Sequence, residues 1–136
     1  MKRLFIASVM AICLTGCVSP DAQILGTAQS QVATRNYQSR MFETGDKAAV
    51  MRAVVATMQD LGFIIERADE KLGTVSGTSF ANDSKMTVSV RITSDKQAIV
   101  RANAQSKLRE ISNPTAYQNF FNALSQSMFL DAHEVE

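Results

Sequence analysis

The chain predicts an α+β domain: an antiparallel sheet of about four to five strands with two helices packed on one face, in the order β-α-β-β-β-β-α. Two observations carry this. Residues 86–105 alternate apolar and polar side chains with period two, the pattern of a β-hairpin that has one buried and one wetted face. Two other segments, after Asp46 and after Asn113, repeat apolar residues every three to four positions, as an amphipathic helix does. Helices that bury such a stripe need a partner, and the apolar face of the sheet supplies it.

Arg40 to Thr44 reads as a short strand. Asp46 is a helix N-cap, because its carboxylate can accept from the open amides of a first turn. The helix it starts carries Val50, Val54, Met58 and Leu61, widened by Met51 and Val55. Gly62 ends it, since glycine adopts the left-handed conformation without a Cβ clash. Phe63 to Ala68 and Thr74 to Phe80 then read as strands about a turn at Asp69–Gly73, and Gly77 inside the second marks a bulge or a close backbone approach. A polar loop over Ala81–Lys85 precedes the alternating pair. Met86, Val88, Val90 and Ile92 point inward from one strand, and Ala98, Val100, Ala102 and Ala104 from the next, with Ser94, Asp95 and Lys96 turning between them. Asn113 caps the last helix and Pro114 takes the one helical position where proline loses no hydrogen bond. Tyr117, Phe120, Phe121, Leu124 and Met128 follow as a wide apolar stripe, and Phe129 and Leu130 overfill it.

The N-terminus has a different character. Lys2 and Arg3 precede an apolar run from Leu4 to Leu14, far short of the roughly 20 apolar residues a spanning helix needs. Leu14, Thr15, Gly16 and Cys17 follow. This resembles the signal peptide and lipobox of a bacterial lipoprotein, in which the cysteine thiol is lipidated and the chain is cut just before it. The resemblance implies residues 1–16 as signal peptide, a mature chain that begins at lipidated Cys17, and attachment to a membrane through acyl chains. Two or more chains hold stably, at about 0.8 kcal/mol per buried methylene. Val18 after the cysteine, where an aspartate would favour the inner membrane, implies the outer membrane with the domain facing the periplasm. Residues 17–38, rich in Ser, Thr, Gln and Ala, read as a flexible tether of about 25 Å reach, with a short helix at Ala22–Gln31 as an option that would shorten it. Residues 39–131 form one domain, and 132–136 a frayed C-terminus.

Composition narrows function. Without the signal, 12 basic and 13 acidic residues leave a formal charge of −1, so no nucleic-acid partner is implied. Cys13 leaves with the signal and Cys17 is consumed by lipid, so the folded part holds no thiol. The sole histidine, His133, lies in the C-terminal tail. Familiar transition-metal ligand sets and Ser-His or Cys-His nucleophile pairs therefore cannot be assembled. Glu43, Glu66, Asp69 and Glu70 sit at element ends and read as solvated caps and turns. The single glycines make no phosphate-cradling loop. The expectation is a protein that is not an enzyme and needs no cofactor or metal.

Two surfaces remain as binding candidates. The outer face of the hairpin offers Ser89, Arg91, Arg101 and Asn103, a polar surface nearly free of carboxylates that suits a protein, a glycan strand or anionic lipid. Tyr117, Phe120, Phe121 and Phe129 would line an apolar groove between the terminal helix and the sheet, unless they are core.

The stretches Arg40-Met-Phe-Glu-Thr44, Met58-Gln-Asp-Leu-Gly-Phe-Ile-Ile65, Leu72-Gly-Thr-Val-Ser-Gly77, Tyr117 with Phe120-Phe121, and Met128-Phe-Leu130 resemble a group of small proteobacterial outer-membrane lipoproteins. A shorter likeness, a helix leading into a Leu-Gly-Phe strand, is to the repeat domains of the lipoprotein C component of the β-barrel assembly machinery. Together with the anchor these imply a non-catalytic binding or accessory module of a cell-envelope complex, with an envelope protein as partner. The alternative is a carrier of lipid or another apolar ligand behind the terminal helix.

Overall fold

The computed structural model describes residues 31–107 and 109–131. It is an α+β domain with an antiparallel sheet. Residues 31–38 form helix α1, followed by β1 (Ser39–Phe42), α2 (Lys47–Asp60), β2 (Ile64–Asp69), β3 (Thr74–Ser79), β4 (Ser84–Ser94), β5 (Gln97–Ser106), β6 (Arg109–Glu110) and α3 (Pro114–Asp131). The strand order is β1-β5-β4-β3-β2, with β6 also beside β5. The signal peptide, Cys17, residues 18–30 of the tether and the tail 132–136 lie outside the described residues.

Among the described residues there are three helices where two were expected. Residues 31–38, assigned above to the tether, are helical and belong to the compact unit that begins at Gln31. Their polar composition hid two anchoring side chains. The Tyr37 ring lies 5.4 Å from that of Tyr117, and Gln38 is buried and donates to Glu110 Oε1 at 2.6 Å and to the Tyr117 hydroxyl at 3.3 Å.

Local chemistry fixes the ends of α2. Asp46 accepts from the Ala49 amide at 2.9 Å, and Gly62, at φ +81°, carries the chain out while its N–H and that of Phe63 bond the Gln59 and Met58 carbonyls. The β2–β3 turn closes through Asp69, whose carboxylate accepts from Leu72 N and whose carbonyl accepts from Gly73 N. Gly73 itself is at φ +71°, and its carbonyl accepts from Val90 N at 2.7 Å, locking the turn to β4. At Gly77 an added Cβ would fall 2.7 Å from the Ile64 carbonyl oxygen, and the β2 register slips between Ile65 and Arg67 just opposite. Both readings of that glycine, a bulge and a close approach, hold. β4 begins at Ser84, inside what reads as a polar loop, because Ser84 pairs Ser79 and Ser106 and is buried.

The core lies between the sheet and the helices. Val75, Met86, Val88, Val90, Ala98, Val100, Ala102 and Ala104 face Val50, Val54 and Met58 of α2 and Tyr117, Phe120, Phe121 and Leu124 of α3. The alanines of β5 leave room for the aromatic rings of α3. Each large apolar side chain so buried is worth roughly 1.5–3 kcal/mol, and this domain, with no cysteine among its described residues, depends on that packing.

One joint is solved by a side chain. β1 pairs β5 from Ala98 to Arg101, and β6 pairs it at Gln105 and Ser106, so both occupy the same edge and leave a gap between them. There the Tyr117 hydroxyl accepts from Ala104 N at 3.1 Å and donates to the Ile111 carbonyl at 2.8 Å, while Ile111 N bonds the Ala104 carbonyl. Tyr117 stands in for the missing strand.

Candidate functional site

With the described helices on one face, no described element covers the other face of the sheet. Register places Ser39, Arg101, Ser89 and Thr74 in one row across four strands, and Met41, Ile99 and Arg91 in the next. These rows form the floor of a groove of about 660 Å³, lined by Ser39, Ser89, Arg91, Ile99 and Arg101 and walled by Lys47 and Leu72. Ser89, Arg91 and Arg101 thus meet in one depression. Asn103 does not join them, because it lies a row away and donates to Glu110 Oε1 at 3.3 Å.

The charges of this face are unevenly committed. Glu66 accepts from Thr78 Oγ1 at 2.6 Å and pairs Lys85 at 3.0 Å, and the Thr78 hydrogen bond, then the lysine, holds its carboxyl below the ordinary value. Asp69 is lowered chiefly by the Leu72 amide, with Arg67 adding to it. Asp69 therefore serves as a turn cap and Glu66 as half of an exposed pair. Lys47 Nζ donates to the Lys71 carbonyl at 2.9 Å, which places its charge against the turn. The side chains of Arg91 and Arg101 are exposed and make no ion pair or hydrogen bond to any described residue. Arg40, by contrast, sits on the helical side of β1, over the Phe121 ring at 5.1 Å and bonded to Asn122.

The apolar groove expected from Tyr117, Phe120, Phe121 and Phe129 is not formed by those four side chains. Tyr117, Phe120 and Phe121 are 0–1% exposed and fill the core, whereas Phe129 is 65% exposed. The spacing that marks an amphipathic stripe also marks packing, and packing is what these three rings do. Met128 and Ile92, at the ends of their patterns, are only partly buried.

Sequence reasoning missed Ser39, Lys47 and Leu72. They come from a strand, a helix start and a turn that only the strand order brings beside the hairpin, and no local motif announces them. Among the described residues there is no histidine or cysteine, no cluster of three potential metal ligands, and no helix long and apolar enough to cross a membrane. What the exposed groups can do is bind: two guanidinium forks and two hydroxyls offer donors to an acceptor-rich partner. The chain matches no family model and no curated protein.

Proposed function

We propose that this protein is a non-catalytic binding or accessory module of a cell-envelope complex, held at the outer membrane through lipidated Cys17 and facing the periplasm. The bare sheet face carries the reading, since its two guanidiniums are solvated, uncommitted and concentrated in one depression. Exposed arginines of this kind are favoured where a partner supplies the complementary acceptors. The lipobox-like Leu14–Cys17 and the resemblance to small outer-membrane lipoproteins support the location and the envelope protein partner. The alternative, a carrier of lipid or another apolar ligand, has less support, because Tyr117, Phe120 and Phe121 would have to leave a packed core to admit a guest.

A photo-crosslinking residue at position 91 or 101, introduced one at a time in living cells, tests the proposal. One discrete envelope protein captured from both positions is the expected result. Capture of nothing specific at either position, with apolar ligand co-purifying in native mass spectrometry, would overturn it in favour of the carrier.

A further inference from the structure

The formal charge of the chain gives no sign of an anion site, but the fold segregates charge. Arg101 stands opposite Ser89, and Arg91 lies two residues along β4 on the same face. Such diagonal neighbours are roughly 7–8 Å apart, within reach of one ligand for side chains as long as arginine. Like charges so placed repel each other, and the carboxylates of the flanking strands are engaged elsewhere: Glu66 with Thr78 and Lys85, Asp69 with Leu72 N and Arg67, Glu110 with Gln38 and Asn103. Among the described residues no carboxylate lines the groove, whereas Lys47 adds a third cation at its wall.

The number of donors selects the anion. A carboxylate carries one charge, and a single guanidinium fork already balances it and reaches both oxygens. Two forks, with the hydroxyls of Ser39 and Ser89 on either side of Arg101 in its own row, offer a second charge and further donors. A phosphate group has at least one more acceptor oxygen and up to two charges, and it can accept from both arginines at once. Leu72, 67% exposed, and Ile99 put aliphatic surface beside the cations, where the organic part of the ligand would lie.

We propose that this groove binds the phosphate group of an organic phosphate, clamped by Arg91 and Arg101 with Ser39 and Ser89 as supporting donors. The proposal rests on the reading of this face as the binding surface and names the chemistry that surface recognises. A lipid headgroup and a soluble phosphate ester share that chemistry.

The test uses the full chain in zwitterionic detergent, titrated with inorganic phosphate and followed by amide chemical shifts. Saturable shifts centred on Ser39, Ser89, Arg91 and Arg101 are expected, with acetate giving none. Arg91→Gln and Arg101→Gln should each weaken binding about tenfold or more while far-UV circular dichroism stays unchanged, and Arg91→Lys, which keeps the charge but loses the fork, should weaken it as well. In a second arm the chain is placed in phosphatidylcholine nanodiscs with or without phosphatidylglycerol. Phosphatidylglycerol-dependent shifts at the same four amides, lost in Arg101→Gln, identify a lipid headgroup, and phosphate binding without them identifies a soluble ester. Acetate equal to phosphate, shifts insensitive to both glutamine variants, or no response in either arm overturns the site. If phosphate fails while crosslinking from positions 91 and 101 still captures one protein, the phosphate site falls and the docking face stands.

Discussion

Replacing Tyr117 by Phe removes one oxygen atom and leaves the ring in place. That oxygen accepts from the Ala104 amide and the Gln38 side chain and donates to the Ile111 carbonyl, in a residue with no exposed surface. The Ile111 carbonyl belongs to a partly exposed residue and can turn to water, so its loss costs about 1 kcal/mol, the net value of an ordinary hydrogen bond. The Ala104 N–H belongs to a buried residue and faces the gap between β1 and β6, so leaving it unpaired costs about 1–3 kcal/mol. The Gln38 bond is long at 3.3 Å, and Gln38 keeps Glu110, so it adds little. Tyr117→Phe should therefore destabilise the fold by about 2–4 kcal/mol. Urea unfolding of the full chain, followed by circular dichroism at 222 nm, measures this, and native-state hydrogen exchange localises it, with Ala104 N–H losing protection first. Tyr37→Phe, which gives up only a 3.2 Å bond to Thr34, is the control and should cost about 0.5 kcal/mol or less. A loss below about 0.5 kcal/mol for Tyr117→Phe, with Ala104 still protected, would refute the idea that this hydroxyl substitutes for a strand.

Phe121→Ala should cost about 3–5 kcal/mol in the same unfolding experiment, because a fully buried ring leaves a cavity among α2, α3 and the sheet. Thr57 Oγ1 is buried without a hydrogen-bond partner, so Thr57→Val, of nearly the same shape, should raise stability by about 1 kcal/mol, and a loss instead would mean that the hydroxyl is satisfied. Glu66 and Asp69 have carboxyls held low in the folded state, so each contributes stability that is present above the ordinary carboxylate range and is lost as pH falls through its folded pKa. Thr78→Val removes the largest cause at Glu66. The Glu66 carboxyl should then titrate closer to its ordinary 4.5 in side-chain NMR, and the stability lost between neutral and acid pH should shrink, because the folded and unfolded states then differ less in proton uptake. Cys17→Ser should accumulate as an unprocessed, unlipidated precursor on a mobility-shift blot, and normal maturation of that variant would remove the lipoprotein reading.

The parts of this fold that were legible in the sequence are those dictated by neighbours along the chain. The Asp46 and Asn113 caps, the Gly62 exit and the alternation of β4 and β5 are local chemistry, and each is found where the residues place it. Helix α1 was illegible because its stability comes from Tyr37 and Gln38 meeting Tyr117, 79 to 80 positions away in sequence, and not from a stripe of its own. β6 has two residues and no pattern to detect. The same divide runs through the site. Ser89, Arg91 and Arg101 fall on one face by period two alone, whereas Ser39, Lys47 and Leu72 join them through strand order. The aromatic stripe was ambiguous in principle, since periodicity reports that a face is apolar and not what covers it.

The register slip between Ile65 and Arg67 gives the domain a way to stay separate from its neighbours. β2 is the last strand of the sheet, and an intact, flat strand there would present a ladder of free amides and carbonyls to any other extended chain. The extra residue throws those groups out of phase, so an incoming strand could bond one half of β2 but not continue along the other. Glu66, Arg67 and Asp69, already tied to Lys85, to one another and to the turn, would also have to give up their partners. At the opposite edge β1 offers four residues, too short a template to hold a chain by itself. Backbone pairing with other chains is thereby disfavoured at both rims of the sheet, and what its open face presents is side chains rather than backbone.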